Sequence, residues 1–285
     1  MGLVVLAALC VAGFAILFRL FERFEVPLLP AITINYATAF VCGLLVAPPD
    51  WTDTSRPVLL AAAGLGALFV AIFSVTGLSA QQAGAARTTI AGRMSLILTI
   101  SGAVILFDER LDPLTVVGIL IALVGLVLTA VGPSEQRAGR AVWFLPLLLF
   151  VCSGAADISV TFVQRKLTTP VTADGFPTLC FAASTLVSVF LLIASTGMKA
   201  LQNKRTWIGG IALGAVNYAS LLFLMRALGS GGLQASLVFP LMNILAILFA
   251  TIAGLSLFRE RLTLLQWCGI GGCIGAMLLF LSTAP

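Results

Sequence analysis

The chain has 285 residues and a net charge of +5, but only 9 % of its residues are charged and 60 % are hydrophobic. Soluble domains carry roughly 25 % charged residues, so this composition excludes an ordinary soluble domain and predicts a membrane protein with many spans. The basic residues form no continuous run of the kind that binds nucleic acid. The sequence has no histidine and no Cys-x-x-Cys motif, so we expect no zinc or haem site and predict no cofactor.

Ten apolar segments follow one another along the chain, and about 20 residues suffice for a helix to cross a bilayer. Short breaks that contain proline, glycine or charged residues separate them. The first segment lacks a basic start and a small-residue cleavage site, so we expect a retained span and not a signal peptide. The predicted helices are 2–21, 28–48, 57–79, 84–107, 113–132, 143–165, 174–196, 206–228, 231–258 and 263–283.

A short charged element occurs twice, as Asp108-Glu109-Arg110-Leu111 and as Arg259-Glu260-Arg261-Leu262. Its two glutamates are 151 residues apart, and Gly118 and Gly269 occupy matching places in the helices that follow. Each element lies in a break between two apolar helices. The duplication indicates that the chain contains two copies of one unit.

The polar break at 132–140 separates two halves, 1–132 and 141–285, with five predicted helices each. Because five is odd, the second half must enter the membrane from the opposite side. The sequence therefore predicts an all-α membrane protein of ten transmembrane helices, arranged as two inverted five-helix repeats. This plan recurs in secondary transporters.

Two five-helix halves that each end in Glu-Arg-Leu and a glycine-containing helix resemble the EamA family of the drug/metabolite transporter superfamily. The resemblance covers essentially the whole chain. It implies a ten-helix fold, a central cavity lined mainly by helices 1, 3, 4, 6, 8 and 9, and transport of small metabolites such as amino acids. One departure is that Pro240 in the ninth helix has no counterpart in the stretch 89–94 of the fourth.

The orientation of the termini stays open. The side that holds the loop after the first helix carries ten Lys and Arg residues against five on the other side, which places both termini outside by the positive-inside rule. The family resemblance implies that both termini are cytoplasmic. We expect a multi-pass protein of the bacterial inner membrane, a monomer or a homodimer, whose partners are membrane lipids and a small-molecule substrate.

Arg93 and Asp157 are charged residues well inside predicted spans. An arginine at a helix centre costs about 2.5–3.5 kcal/mol on insertion scales, so it should face water or a partner. Its planar fork of donors suits a carboxylate or another anionic substrate group. Desolvation favours the protonated form of a buried carboxylate, which suits a coupling or gating role for Asp157. Alternatively, Arg93 snorkels, or the two residues form a structural ion pair.

Uncharged polar groups also occur inside predicted spans, and hydrogen bonding between helices is their ordinary role. We predict that Asn217, Tyr218 and Asn243 contact substrate together with Arg93, because the family resemblance places helices 8 and 9 around the cavity. The first polar group, Thr33, Asn35 and Tyr36, is predicted to join helices. Residues 81, 82 and 87–89 form either a polar mouth or a solvated loop.

The duplicated glutamates Glu109 and Glu260 are predicted to be structural. Each precedes a helix by several residues, and the helix dipole favours a carboxylate near a helix N-terminus. An asymmetric substrate rarely needs the same residue twice. We therefore assign both glutamates to the fold.

Three functional hypotheses follow. The first is a secondary transporter of small polar metabolites by alternating access, with export as one possible direction; the sequence contains no Walker motif that would bind ATP. The second is a flippase of lipids or lipid-linked headgroups on the same scaffold. The third, an intramembrane enzyme, is disfavoured because a chain without histidine has no Ser–His dyad.

Overall fold

Helices make up the structure, a computed structural model that describes residues 1–50, 54–83, 85–130, 144–195, 201, 203–230, 233–257 and 262–283. In lipid the backbone amides must bond within their own segment, and a helix meets this condition. Twelve α-helices lie within these residues: α1 Gly2–Arg23, α2 Leu28–Val46, α3 Arg56–Ala83, α4 Ala85–Met94, α5 Leu96–Phe107, α6 Pro113–Ala130, α7 Phe144–Phe162, α8 Pro170–Ala173, α9 Phe176–Ser195, α10 Lys204–Gly229, α11 Ala235–Leu257 and α12 Leu264–Thr283.

Ten helical segments of the described chain are long and apolar enough to cross a membrane. The protein is therefore an all-α membrane protein, as the composition predicted. The fourth of these segments, Arg87–Phe107, joins α4 and α5, and the sixth, Phe144–Leu167, joins α7 to a π-helical turn at Val163–Leu167. The four-residue helix α8 was not predicted; a capping box between Thr169 and Thr172 starts it.

The fourth predicted helix is interrupted at Ser95, where one uninterrupted helix was expected. The Ser95 hydroxyl donates to the Gly92 carbonyl, three residues earlier, at 2.7 Å. Hydroxyl groups that bond back to the preceding turn disturb a helix in this way. The first half thus has a hydroxyl-associated break in its fourth span, whereas α11 contains Pro240.

The chain forms two compact units. The first unit consists of Met1–Ala71 and Ser159–Ser230, and the second of Ile72–Ile158 and Gly231–Pro285. Each unit therefore takes segments from both predicted halves of the sequence. The inverted repeat itself stays a prediction, and its boundary at 132–140, like Glu260, lies outside the described residues.

The first unit packs α2 against α9 and α10, and α1 against α10. Gly214 of α10 lies so close to α2 that a Cβ there would be 2.4 Å from the Asn35 carbonyl oxygen and 2.6 Å from the Thr38 Cβ. Small residues allow membrane helices to approach at this distance. The Asn35 side chain is thereby held at a tight helix crossing.

The second unit packs α6 against α12, and α5 against α11. Gly125 and Gly269 face each other where α6 and α12 cross. A Cβ on Gly125 would be 2.8 Å from the Gly269 carbonyl oxygen, and a Cβ on Gly269 would be 2.8 Å from the Gly125 oxygen. The matching glycine Gly118 accommodates the ring of Phe280, with a Cβ position 2.7 Å from Cε1.

Candidate functional site

Arg93 lies near the end of α4 in the second unit and is half-buried. Its Nη1 donates a hydrogen bond to the Asn243 Oδ1 of α11. The structure thus brings together two residues that the sequence predicted as substrate contacts.

The Asn243 side chain is fixed by a second contact. Its Nδ2 donates to the Phe239 carbonyl at 3.0 Å, one turn earlier in α11. A guanidinium can only donate hydrogen bonds, so it requires the amide oxygen and leaves the amide nitrogen for the backbone. Both polar atoms of this amide are therefore used, and Asn243 holds the guanidinium in place.

The partner of Arg93 is neutral. Among the described residues, the guanidinium hydrogen-bonds to Asn243, and no carboxylate lies within ion-pair distance of it. A guanidinium has five N–H donors, so most of its donor capacity remains for another group. The arrangement suits an anionic oxygen acceptor such as a carboxylate.

Asp157 of α7 lies in the same unit and is half-buried. Its Oδ2 accepts a hydrogen bond from the Thr99 hydroxyl of α5 at 3.0 Å. Glycines bring these two helices close: a Cβ on Gly154 would be 2.7 Å from the Leu98 Cβ. Arg93 and Asp157 thus hydrogen-bond to different neutral side chains, Asn243 and Thr99. Within the described ranges, Arg93 and Asp157 do not form the ion pair that was considered for them.

Asn217 and Tyr218 lie on α10 and belong to the first unit. The Asn217 Nδ2 donates to the Asn35 Oδ1 at 3.1 Å, which joins α10 to α2. The Tyr218 side chain is only 3 % exposed, and its ring lies 6.4 Å from that of Phe181. Through these contacts Asn217 packs against α2 and Tyr218 packs against α9.

The first predicted polar group lies in the same unit. Asn35 and Tyr36 are both 0 % exposed, and the Tyr36 ring stacks on that of Phe181 at 6.2 Å. The Thr33 hydroxyl donates to the Ser188 carbonyl of α9 at 3.4 Å. These contacts agree with the helix-joining role that was predicted for the group.

The polar stretch predicted as a mouth or loop is helical. Gln81 and Gln82 belong to α3, and Arg87, Thr88 and Thr89 belong to α4. The loop interpretation was wrong, because these polar residues lie within two helices where the apolar pattern is weak. The buried Thr88 hydroxyl bonds to the Ser79 hydroxyl at 2.7 Å, so Thr88 joins α4 to α3.

Glu109 stabilises a helix that the sequence did not suggest. Its Oε1 accepts from the Ala235 N–H at 2.8 Å and its Oε2 from the Ser236 N–H at 2.9 Å. These amides are the first of α11, not of α6, the helix that follows Glu109 in sequence. Glu109 therefore has a structural role at a helix N-terminus, as predicted, but the helix is α11, whose first residue lies 126 positions further along the chain.

Helix α6 has its own N-terminal partner in Asp112. The Asp112 Oδ2 accepts from the Thr115 N–H at 3.2 Å, and Oδ1 accepts from the Thr115 hydroxyl. The Thr115 side-chain hydrogen bond is the main reason why the pKa of the Asp112 carboxyl is lowered below its usual range. Glu109 and Asp112 thus stabilise the N-termini of two different helices, α11 and α6.

Comparisons with known proteins support the fold. The sequence matches no family model. It is 28 % identical over 276 residues to an uncharacterised protein of Haemophilus influenzae, and the match spans 93 % of this chain and 92 % of that protein. A crystal structure of another protein superposes with a TM-score of 0.77 at 15 % identity, covering 99 % of this chain and 96 % of that one. At this identity the structural likeness concerns the fold alone.

Proposed function

We propose that the protein is a secondary transporter of small polar metabolites that carry a carboxylate or a similar anionic group, with amino-acid-like compounds as the leading class. The proposal rests mainly on Arg93, a half-buried guanidinium within a span that is held by the neutral Asn243 side chain. The ten candidate spans leave little of the described chain for another domain.

The energetic argument concerns the charge of Arg93. An arginine near a helix centre costs about 2.5–3.5 kcal/mol on insertion scales. Asn243 orients the guanidinium but supplies no opposite charge, so an anionic substrate would be the first group to neutralise it. A guanidinium whose charge is neutralised only when an anion binds suits a carrier of carboxylates.

Asp157 is the residue that we assign to coupling or gating. Its carboxylate lies in the same unit as Arg93 and accepts a hydrogen bond from the Thr99 hydroxyl. A neutral hydroxyl stabilises the carboxylate charge less than an arginine does. Asn217 and Tyr218 were also predicted as substrate contacts; that role stays a prediction, and their observed partners are Asn35 and Phe181 in the first unit. Transport would proceed by alternating access on an inverted repeat of the EamA type.

A thermal-shift screen of the purified protein in detergent tests the proposal. Amino acids, organic acids, nucleobases, sugars and lipids would be compared on wild type, Arg93→Ala and Arg226→Ala. Arg226 is a matched control, because it is also an arginine of a spanning helix but is already paired with Asp174 at 2.6 Å. A ligand at 100 times its Kd stabilises the folded state by about 2.7 kcal/mol.

We expect a soluble carboxylate to raise the melting temperature of wild type and Arg226→Ala but not of Arg93→Ala. A lost charge-assisted hydrogen bond is worth about 1.5–3 kcal/mol, which corresponds to roughly ten- to hundredfold weaker binding. Equal stabilisation of all three proteins would remove Arg93 from the site. Stabilisation by lipids alone would favour the flippase hypothesis and reduce Arg93 to a structural residue.

A further inference from the structure

A groove of about 330 Å³ lies between α1 and α10 in the first unit, apart from every residue assigned to the substrate. Its walls are apolar and include Leu17, Leu20 and Phe21 of α1 and Ile208 and Ala212 of α10. Volumes of roughly 300–1,000 Å³ are typical of sites that take small ligands. The groove is therefore large enough to hold part of an extended apolar chain.

The floor of the groove is built by close packing. Phe21 is 5 % exposed, and a Cβ on Gly209 would lie only 2.6 Å from its Cε1, so the ring rests directly on α10. Phe18 meets the same ring edge-to-face at 5.9 Å. The Phe21 ring is thus packed between Phe18 and Gly209 and forms part of the groove's wall.

Arg205 adds a positive charge to the lining of this apolar groove. Its Nη1 donates to the Phe24 carbonyl at 3.4 Å, and no carboxylate pairs with it among the residues that the structure describes. Four basic and two acidic residues occupy the two helix ends at this level: Arg19, Arg23, Lys204 and Arg205 against Glu22 and Glu25. The local charge is therefore positive, with Arg205 at the groove itself.

The position of the groove along the helices matches the edge of a bilayer. Helix α1 ends at Arg23 and helix α10 begins at Lys204. Trp207, 48 % exposed, lies one turn inside and donates its Nε1 hydrogen bond to the Leu201 carbonyl at 2.8 Å. Tryptophans of this kind concentrate where hydrocarbon meets headgroups. Arg205 thus lies at headgroup level and the apolar walls below it face hydrocarbon.

We propose that this groove binds an anionic phospholipid, with the phosphate at the Arg205 guanidinium and part of one acyl chain along Phe21 and Ala212. Basic groups at grooves between transmembrane helices bind acidic lipid headgroups in this way. A zwitterionic lipid presents the same phosphate together with its own cation, which the positive surroundings of Arg205 disfavour. The site is independent of the proposed transport reaction.

Native mass spectrometry of the full chain tests the headgroup contact, using phosphatidylglycerol and phosphatidylcholine with identical acyl chains. The variants are Arg205→Gln and, as the matched control, Lys204→Gln, which removes a neighbouring charge that does not line the groove. We expect wild type and Lys204→Gln to prefer phosphatidylglycerol, and Arg205→Gln to bind it about tenfold more weakly, as expected for about 1.4 kcal/mol. Equal losses in both variants, or none in Arg205→Gln, would overturn the site.

A second pair of variants tests the acyl-chain contact. Ala212→Phe places a ring in the groove, whereas Ile211→Phe places the same ring on the neighbouring exposed position of α10. We expect only Ala212→Phe to reduce phosphatidylglycerol binding, with thermal unfolding confirming that both variants are folded. Glycerol phosphate should not compete for the site. Competition by this soluble compound, or equal effects of the two variants, would contradict a lipid as the occupant.

Discussion

Glu109→Ala should destabilise the protein strongly, although Glu109 lies in a loop between two helices. The carboxylate is 7 % exposed and accepts two backbone hydrogen bonds, at 2.8 and 2.9 Å, from amides that are themselves buried. An unsatisfied buried donor costs about 1–3 kcal/mol, so the loss of both bonds predicts about 2–6 kcal/mol. Glu109→Gln keeps one acceptor oxygen but loses the charge at the helix terminus, which predicts about 1–3 kcal/mol.

The measurement is thermal unfolding in detergent, followed by circular dichroism. At about 2 °C per kcal/mol, Glu109→Ala should lower the melting temperature by about 4–12 °C and Glu109→Gln by about 2–6 °C. The matched control is Asp108→Asn, which removes the adjacent, exposed carboxylate while asparagine tolerates its φ of 53°. This control should change the free energy of unfolding by less than about 0.5 kcal/mol.

The order of the three variants decides the interpretation. A melting temperature of Glu109→Ala equal to that of Asp108→Asn would show that the bonds to α11 contribute nothing to stability. A larger fall in melting temperature for Glu109→Gln than for Glu109→Ala would indicate that the loss of charge, and not the loss of acceptor oxygens, dominates the destabilisation.

Two further predictions concern other residues of the second unit. Asp157→Asn should remove the pH dependence of transport and leave ligand-induced stabilisation intact, because only the titratable proton is lost; an unchanged pH profile would exclude the coupling role. Gly125→Ala should destabilise by about 1–3 kcal/mol, because its Cβ would lie 2.8 Å from the Gly269 carbonyl oxygen, a backbone atom. Gly271→Ala makes the same change where nothing lies within 4 Å, and equal melting temperatures for both variants would contradict this packing argument.

The spans were predictable because they follow from composition and length. Apolar runs of about 20 residues, separated by charged or proline-containing breaks, placed most helix ends within a few residues. The break at Ser95 was not foreseen, since a serine that bonds to Gly92 has no distinct sequence signature. The polar residues at 81, 82 and 87–89 misled because a polar residue within a helix, such as Thr88 bonded to Ser79, resembles part of a loop in sequence.

The site was predictable only in part. Arg93 and Asn243 were both predicted as substrate contacts from their polarity within spans and from the family resemblance, and the structure shows their side chains in contact. The contact between Glu109 and the start of α11 was not predictable, because a carboxylate's partner 126 residues away leaves no local pattern. For Asn217 and Tyr218 the substrate role stays a prediction, because polarity within a span does not distinguish a residue that joins helices from one that contacts a substrate.

The most direct test of the transporter proposal is counterflow in proteoliposomes, using the carboxylate that best stabilises the wild-type protein. Vesicles loaded with unlabelled ligand would be mixed with labelled ligand outside, and the internal label followed over time. The proposal predicts transient accumulation for wild type and Arg226→Ala, and none for Arg93→Ala. Accumulation by Arg93→Ala at the wild-type rate would contradict the assigned site, and no accumulation by folded, ligand-binding wild type would contradict transport itself.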